Sequence, residues 1–241
     1  MQFKTFLSTT PRYIKILGLF TFANLAILAI RNNIVGDSMF DFLKSNLLSG
    51  IIPFVIALFL QYFGHKFKNW IFIAISLLWL LFYPNSPYMI SDLIHPHEEA
   101  LGATMPHLIV YDTFIIFSIA MLSVFYGFVS LKIMFNLFRD RFGSKFAHGA
   151  IIFSLILSCL GFYMGRALVS EIELGNGFLY SWEIFLEPVY IFKIVWKSLF
   201  PISENMHVYY MMALFGFVQY QLLVIMKDVS DIEQANVISK D

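Results

Sequence analysis

Long apolar runs separated by short charged turns set the pattern of this chain. Five of them read directly as membrane-spanning helices: residues 16–30, 47–63, 113–131, 150–165 and 206–226. A further run starts at Trp70, after Lys66 and Lys68, and is the third in chain order. Runs of this length and apolarity are what a hydrocarbon core of about 30 Å demands of a helix. The first is short, but Lys15 and Arg31 flank it and can snorkel to the interface. No small-x-small cleavage pattern follows it, so it reads as an uncleaved span rather than a signal peptide. In the second, Pro53 is expected near the helix start, where a missing donor is tolerable.

The third run is the one that departs from a plain span. Only 14 residues, 70–83, precede Pro84. At about 1.5 Å each they cover about 21 Å, so the Pro84-Asn85-Ser86-Pro87 break is expected inside the membrane. Backbone released there must be buried by neighbouring helices or line a wet cavity. Ser86 before Pro87 reads as an N-cap with proline at the first helical position. The spacing then predicts a second short helix from Pro87 to about His95, with Tyr88, Asp92 and His95 on one face at i, i+4 and i+7.

Residues 178–200 are apolar enough to suggest a seventh span. They carry Glu183, Glu187, Lys193 and Lys197 in their interior, and Pro188 interrupts them. Each such charge costs about 2.5–3.5 kcal/mol at mid-membrane. Tyr180, Trp182, Tyr190 and Trp196 suit the headgroup region, which favours an interfacial or re-entrant helix over a span. The fold class expected is therefore all-α: a polytopic membrane helix bundle of six transmembrane helices, seven if 178–200 crosses, forming a single integral membrane domain over 1–241 with a polar cytoplasmic tail at 227–241. No internal repeat of the inverted-repeat transporter kind is visible.

Composition agrees with this pattern. Of 241 residues, 59% are apolar and 13% charged, against about 25% charged in soluble domains. Net charge is zero, so there is no basic surface for nucleic acid. The single cysteine, Cys159, excludes an intrachain disulfide and reads as a packing residue. Lys4, Arg12, Lys15, Lys66, Lys68, Lys132, Arg139, Arg141, Lys145, Lys227 and Lys240 all fall on one side of a six-span topology, out of 16 Lys and Arg in total. The positive-inside rule makes that side the cytoplasm, with both termini there. The Pro84 break, the segment 91–107, Asp112 and Arg166 then face outward.

Candidate chemistry gathers on that outward side. Asp92 and His95, three apart, are placed for a carboxylate to orient a histidine or for both to bind a metal. His97, Glu98, His107 and Asp112 could complete such a site, although no His-Glu-x-x-His and no cysteine pair is present. Asp112 also suits the N-terminal end of the fourth span on dipole grounds alone. Arg166 suits the C-terminal end of the fifth, and its planar fork could instead pair with Asp92 or Asp112 or hold the phosphate of an anionic lipid headgroup. Gly161 and Gly165 form a G-x-x-x-G pair of the kind that marks close helix packing.

The run Phe82-Tyr83-Pro84-Asn85-Ser86-Pro87-Tyr88, with Asp92 and His95, then Tyr111-Asp112, then Gly161-Phe162-Tyr163-Met164-Gly165-Arg166, resembles a family of bacterial multi-span membrane proteins classed as a domain of unknown function. The resemblance covers most of the chain after the second span. It implies that Asn85, Tyr88, Asp92, His95, Tyr111, Asp112, Tyr163 and Arg166 form one motif set, and a location in the bacterial plasma membrane. An Asn-Ser-Trp-Asp element that follows the arginine in the family survives here only as Ser181-Trp182-Glu183. The family supplies no activity and no cofactor.

Three readings follow. The chain is an integral membrane protein of the bacterial cell envelope with an outward-facing polar site that holds broken helices together. Alternatively it is a membrane-embedded hydrolase or transferase acting on a lipid-linked substrate, metal-dependent or not. In that case Asp92, His95 and Asp112 serve as catalytic groups or metal ligands, and Asn85, Tyr88, Tyr111, Tyr163 and Arg166 bind substrate. A small-solute transporter is the third. The lipid bilayer is the partner common to all three.

Overall fold

The structure is a computed structural model, and it describes residues 11–36, 40–95, 106–163 and 188–238. Those residues are almost all helical, with no strand among them, and six helices are long and apolar enough to cross a membrane. The protein is an all-α membrane helix bundle. It divides into two compact units, residues 1–147 and 148–241.

The first unit holds α1 (Arg12–Val35), α2 (Phe42–Phe63), α3 (Asn69–Phe82), the single turn α4 (Asn85–Tyr88) and α5 (Pro106–Phe142). Helix α1 runs well past the expected 16–30 and ends at Gly36, whose φ of 76° lets its N–H reach the Asn32 carbonyl. Helix α2 starts earlier than expected, so Pro53 sits mid-helix rather than near the start. Helix α5 is 37 residues long, about 55 Å, and so extends well beyond a bilayer core.

Helices α2, α3 and α5 form the centre of this unit, and small residues let them approach. The Ser86 hydroxyl donates to the Gly50 carbonyl at 2.6 Å. A Cβ on Gly127 would stand 2.7 Å from the Ser86 Cβ, and one on Gly50 would meet Ser123. Close backbone approach of this sort is how helices pack in lipid, where burial of apolar surface gives no advantage. Trp79, Tyr83, Phe72 and Phe138 fill the layer toward the opposite end of the unit, and the Trp79 indole N–H donates to Ser130 Oγ at 3.3 Å. Many apolar side chains, including Phe22, Leu48, Trp70 and Phe114, are exposed outward, as lipid-facing positions must be.

The second unit holds most of α6 (Ser144–Tyr163), then α7 (Pro188–Leu199) and α8 (Met206–Ile238). Phe162 stacks on Phe215 with centroids 4.2 Å apart. The Ser158 hydroxyl and the Gln219 carbonyl oxygen lie 3.0 Å apart, joining α6 to α8 through a neutral hydrogen bond. The expected polar tail from 227 onward continues α8 as helix to Ile238. Of the segment 178–200, the described part is a helix of 12 residues, about 18 Å, too short to cross the bilayer.

Candidate functional site

The helix interruption is where the polar groups of the first unit collect. Helix α3 covers about 21 Å, short of the membrane core, and α4 with the 3-10 turn Met89–Ile94 supplies the remainder of the span. The regular ladder stops because Pro84 has no N–H. Ser86 N–H instead reaches back to the Tyr83 carbonyl at 3.1 Å, and Tyr88 N–H reaches Pro84 at 3.1 Å. Backbone angles at Tyr83, Pro84, Tyr88 and Met89 all stay in the right-handed helical region. The interruption therefore tightens the helix instead of starting a new one, and two expectations change with it.

Ser86 is not an N-cap. Pro84 occupies that position, and the buried Ser86 hydroxyl is spent across the interface on Gly50. The segment Met89–Ile94 is a 3-10 helix, not an α-helix. In a three-residue turn, positions i and i+3 eclipse. Met89, Asp92 and His95 thus share the face, and Tyr88, half-buried, falls a third of a turn away. Asn85 serves its own chain, donating from Nδ2 to the Phe82 carbonyl at 3.1 Å.

Asp92 is the buried centre of the site, 2% exposed. Its Oδ2 accepts from Asn46 Nδ2 of α2 at 3.0 Å. Its Oδ1 faces His95 Nε2 at 3.8 Å. His95 packs edge-on against Phe42, centroids 4.8 Å apart, and its side chain is a quarter exposed. The group thus runs from an amide through a buried carboxylate to an imidazole, with the amide and the imidazole both partly exposed. Asn46 was missed by sequence reasoning. It stands 46 positions from Asp92, and its sole signal is an amide amid the apolar positions that open α2.

Asp112 belongs to a different pair. Arg31 Nε donates to its Oδ1 and Arg31 Nη2 to its Oδ2, both at 3.0 Å. The guanidinium also lies over the Phe40 ring, 4.6 Å from its centroid. Arg31 is 9% exposed, so the expectation that it snorkels from the end of the first span is overturned. A cation inside a membrane helix faces the bundle and finds a counter-charge when one is within reach. The fork geometry of arginine matches both carboxylate oxygens at once.

The remaining expected residues divide as follows. The side chain of Tyr111, next to Asp112, is exposed. Tyr163 is buried in the second unit with its ring 6.2 Å from that of His207. His97, Glu98, Glu99, Gly165 and Arg166 lie outside the described residues, as does the side chain of His107. Among the described residues, no three His, Cys, Asp or Glu side chains come together as a metal would require.

Six apolar spans, an interrupted third helix and charges turned into the bundle define a polytopic integral membrane protein. Residues 45–222 match the family described as protein of unknown function DUF1361, and the chain belongs to that family. Asn46, Asp92, His95 and Asp112 fall within the match, whereas Arg31 precedes it. No curated protein and no solved structure matches the chain.

Proposed function

We propose that this is a plasma-membrane protein of the bacterial envelope, with both termini cytoplasmic, whose outward-facing site performs proton transfer on a lipid-linked substrate. The observation that carries the reading is the Asn46–Asp92–His95 chain. A buried carboxylate is fixed on one side by an amide and faces, on the other, an imidazole a quarter of whose side chain is exposed. That is the order of parts a general acid–base site uses, with a reacting base and a group that fixes it. The 3.8 Å separation of Asp92 and His95 is of the sort that shortens when substrate binds. Asp112 is assigned to holding α1 against α5, since Arg31 engages both its oxygens. The apolar bundle around the site favours a substrate carried in the bilayer, with its polar headgroup at His95.

The test is a comparison of membrane lipids, by mass spectrometry, in cells that overproduce the protein or its His95→Gln variant. A lipid species that changes with the wild-type protein and not with an equal amount of folded variant supports the reading. Lipid profiles indistinguishable between the two would sink it. The transporter reading draws on the interrupted third span. A solute flux into proteoliposomes that His95→Gln leaves intact would favour it instead.

A further inference from the structure

Helix α7, 12 residues long, is too short to cross the bilayer and presents a continuous apolar stripe that is exposed among the described residues. Val189, Phe192, Trp196 and Phe200 are all exposed along one side. Phe192 stacks on Trp196 at 6.0 Å and Trp196 meets Phe200 in a tilted contact at 4.5 Å, so the aromatic rings form one row. Lys193 and Lys197, both exposed and one turn apart, border that row on a single flank. At about 100° per residue the apolar side chains occupy one arc and the two cations the adjacent one. This is the division found in helices that lie in the headgroup layer, with aromatic rings in the acyl boundary and lysines reaching up to phosphate.

The end of α7 is fastened at a level that fits. Tyr209 in the first turn of α8 donates its hydroxyl hydrogen to the Leu199 carbonyl at 2.7 Å. Asn205 Nδ2 donates to the carbonyls of Lys197 at 3.2 Å and Pro201 at 3.1 Å. The last carbonyls of α7 are therefore bound at the start of the segment Met206–Ile225, which is long and apolar enough to cross a membrane. A row of aromatic side chains held at that level would be costly in water. Against a charged or neutral bilayer surface it has a place, and the two lysines give that place a sign.

We propose that α7 is a surface-lying helix that binds anionic phospholipid headgroups through Lys193 and Lys197 while Val189, Phe192, Trp196 and Phe200 enter the acyl boundary. This does not depend on the proton-transfer reading of His95. The full-length protein, with Cys159→Ala and Val189→Cys carrying a bimane label, is placed in vesicles of phosphatidylcholine with added phosphatidylglycerol. Quenching is measured with brominated phosphatidylglycerol, with brominated phosphatidylcholine and with aqueous iodide, and repeated with the label at Phe200→Cys in case one position perturbs folding. Each lysine near an anionic surface is worth about fivefold in lipid preference. The brominated anionic lipid is therefore expected to quench at about fivefold lower mole fraction than the neutral one, or better, and Lys193→Gln with Lys197→Gln is expected to remove the difference. Equal quenching by the two lipids in the lysine-bearing protein would overturn the assignment of anionic headgroups. Quenching by iodide alone, or by none of the three, would overturn the surface location, placing α7 in water or against protein.

Discussion

Two arginines at opposite ends of the first unit are held in opposite ways. Arg31, near the end of α1, is buried and gives its fork to the carboxylate of Asp112. Arg141, near the end of α5, is half-buried and gives its fork to neutral acceptors: the carbonyls of Gly64 and Phe67 and the side-chain oxygen of Asn69. Both guanidiniums also lie over a phenylalanine, Arg31 over Phe40 at 4.6 Å and Arg141 over Phe72 at 4.5 Å. The cation–aromatic contact is therefore common to both, and the difference lies in the oxygen partner. Arg31 sits within a span, where a lone charge is expensive and a counter-charge is required. Arg141 sits at the turn between α2 and α3, where it donates to the Phe67 carbonyl and joins Phe67 N–H as a second donor to the Gly64 carbonyl. One pair neutralises charge inside the bundle. The other clamps a turn.

The largest effect expected from this contrast is at the charge pair. Asp112→Ala leaves a buried guanidinium without its counter-ion and should cost about 3–5 kcal/mol of stability. Thermal unfolding in detergent would read it as a much lower midpoint. The double variant Arg31→Met with Asp112→Leu should recover most of the loss, because apolar replacement of both partners removes the uncompensated charge. Single variants within 1 kcal/mol of wild type would erase the distinction between the two ends.

Arg141→Ala comes next. It removes the guanidinium donor from the Phe67 carbonyl and one of two donors from the Gly64 carbonyl, and should cost about 1.5–3 kcal/mol, the range for hydrogen bonds from a charged donor. Arg141→Lys should restore less than half of it, since a point-like ammonium cannot span three acceptors in fork geometry. Full rescue by lysine in the same unfolding measurement would mean that charge alone matters there. The smallest effect is expected in the second unit, where Ser158 and Gln219 form a contact with no charge at all. Gln219→Leu should cost about 0.6 kcal/mol, the average for polar contacts between helices in lipid. A loss comparable to that at Asp112 would show that ionisation is not what separates strong from weak polar links in this bundle.

The spans were legible because a bilayer core imposes length and apolarity on any helix that crosses it. Their ends were less so: charge at Arg12, Arg31 and Asp112 does not stop a helix when the charge is at the interface or paired inside. The Asp92–His95 link could be read from a spacing of three, which holds in a 3-10 turn even more directly than in an α-helix. Tyr88 was misplaced on that face because the α period was applied to a segment that proline had tightened. Asn46 and Arg31 could not be found this way, since each meets its carboxylate across a gap of 46 or 81 residues.

By itself the sequence determined that the chain is a membrane protein, that six segments are long and apolar enough to cross a bilayer, and that the third cannot keep a regular ladder past Pro84. Those properties follow from local quantities: apolar length and a missing N–H. Which polar group meets which was decided only by the tertiary structure. Helices in lipid pack through small residues and paired polar groups drawn from distant parts of the chain. Arg31 of α1 meets Asp112 of α5, and Asn46 of α2 meets Asp92, in a unit where α2 and α5 also close around Ser86 through Gly50 and Gly127.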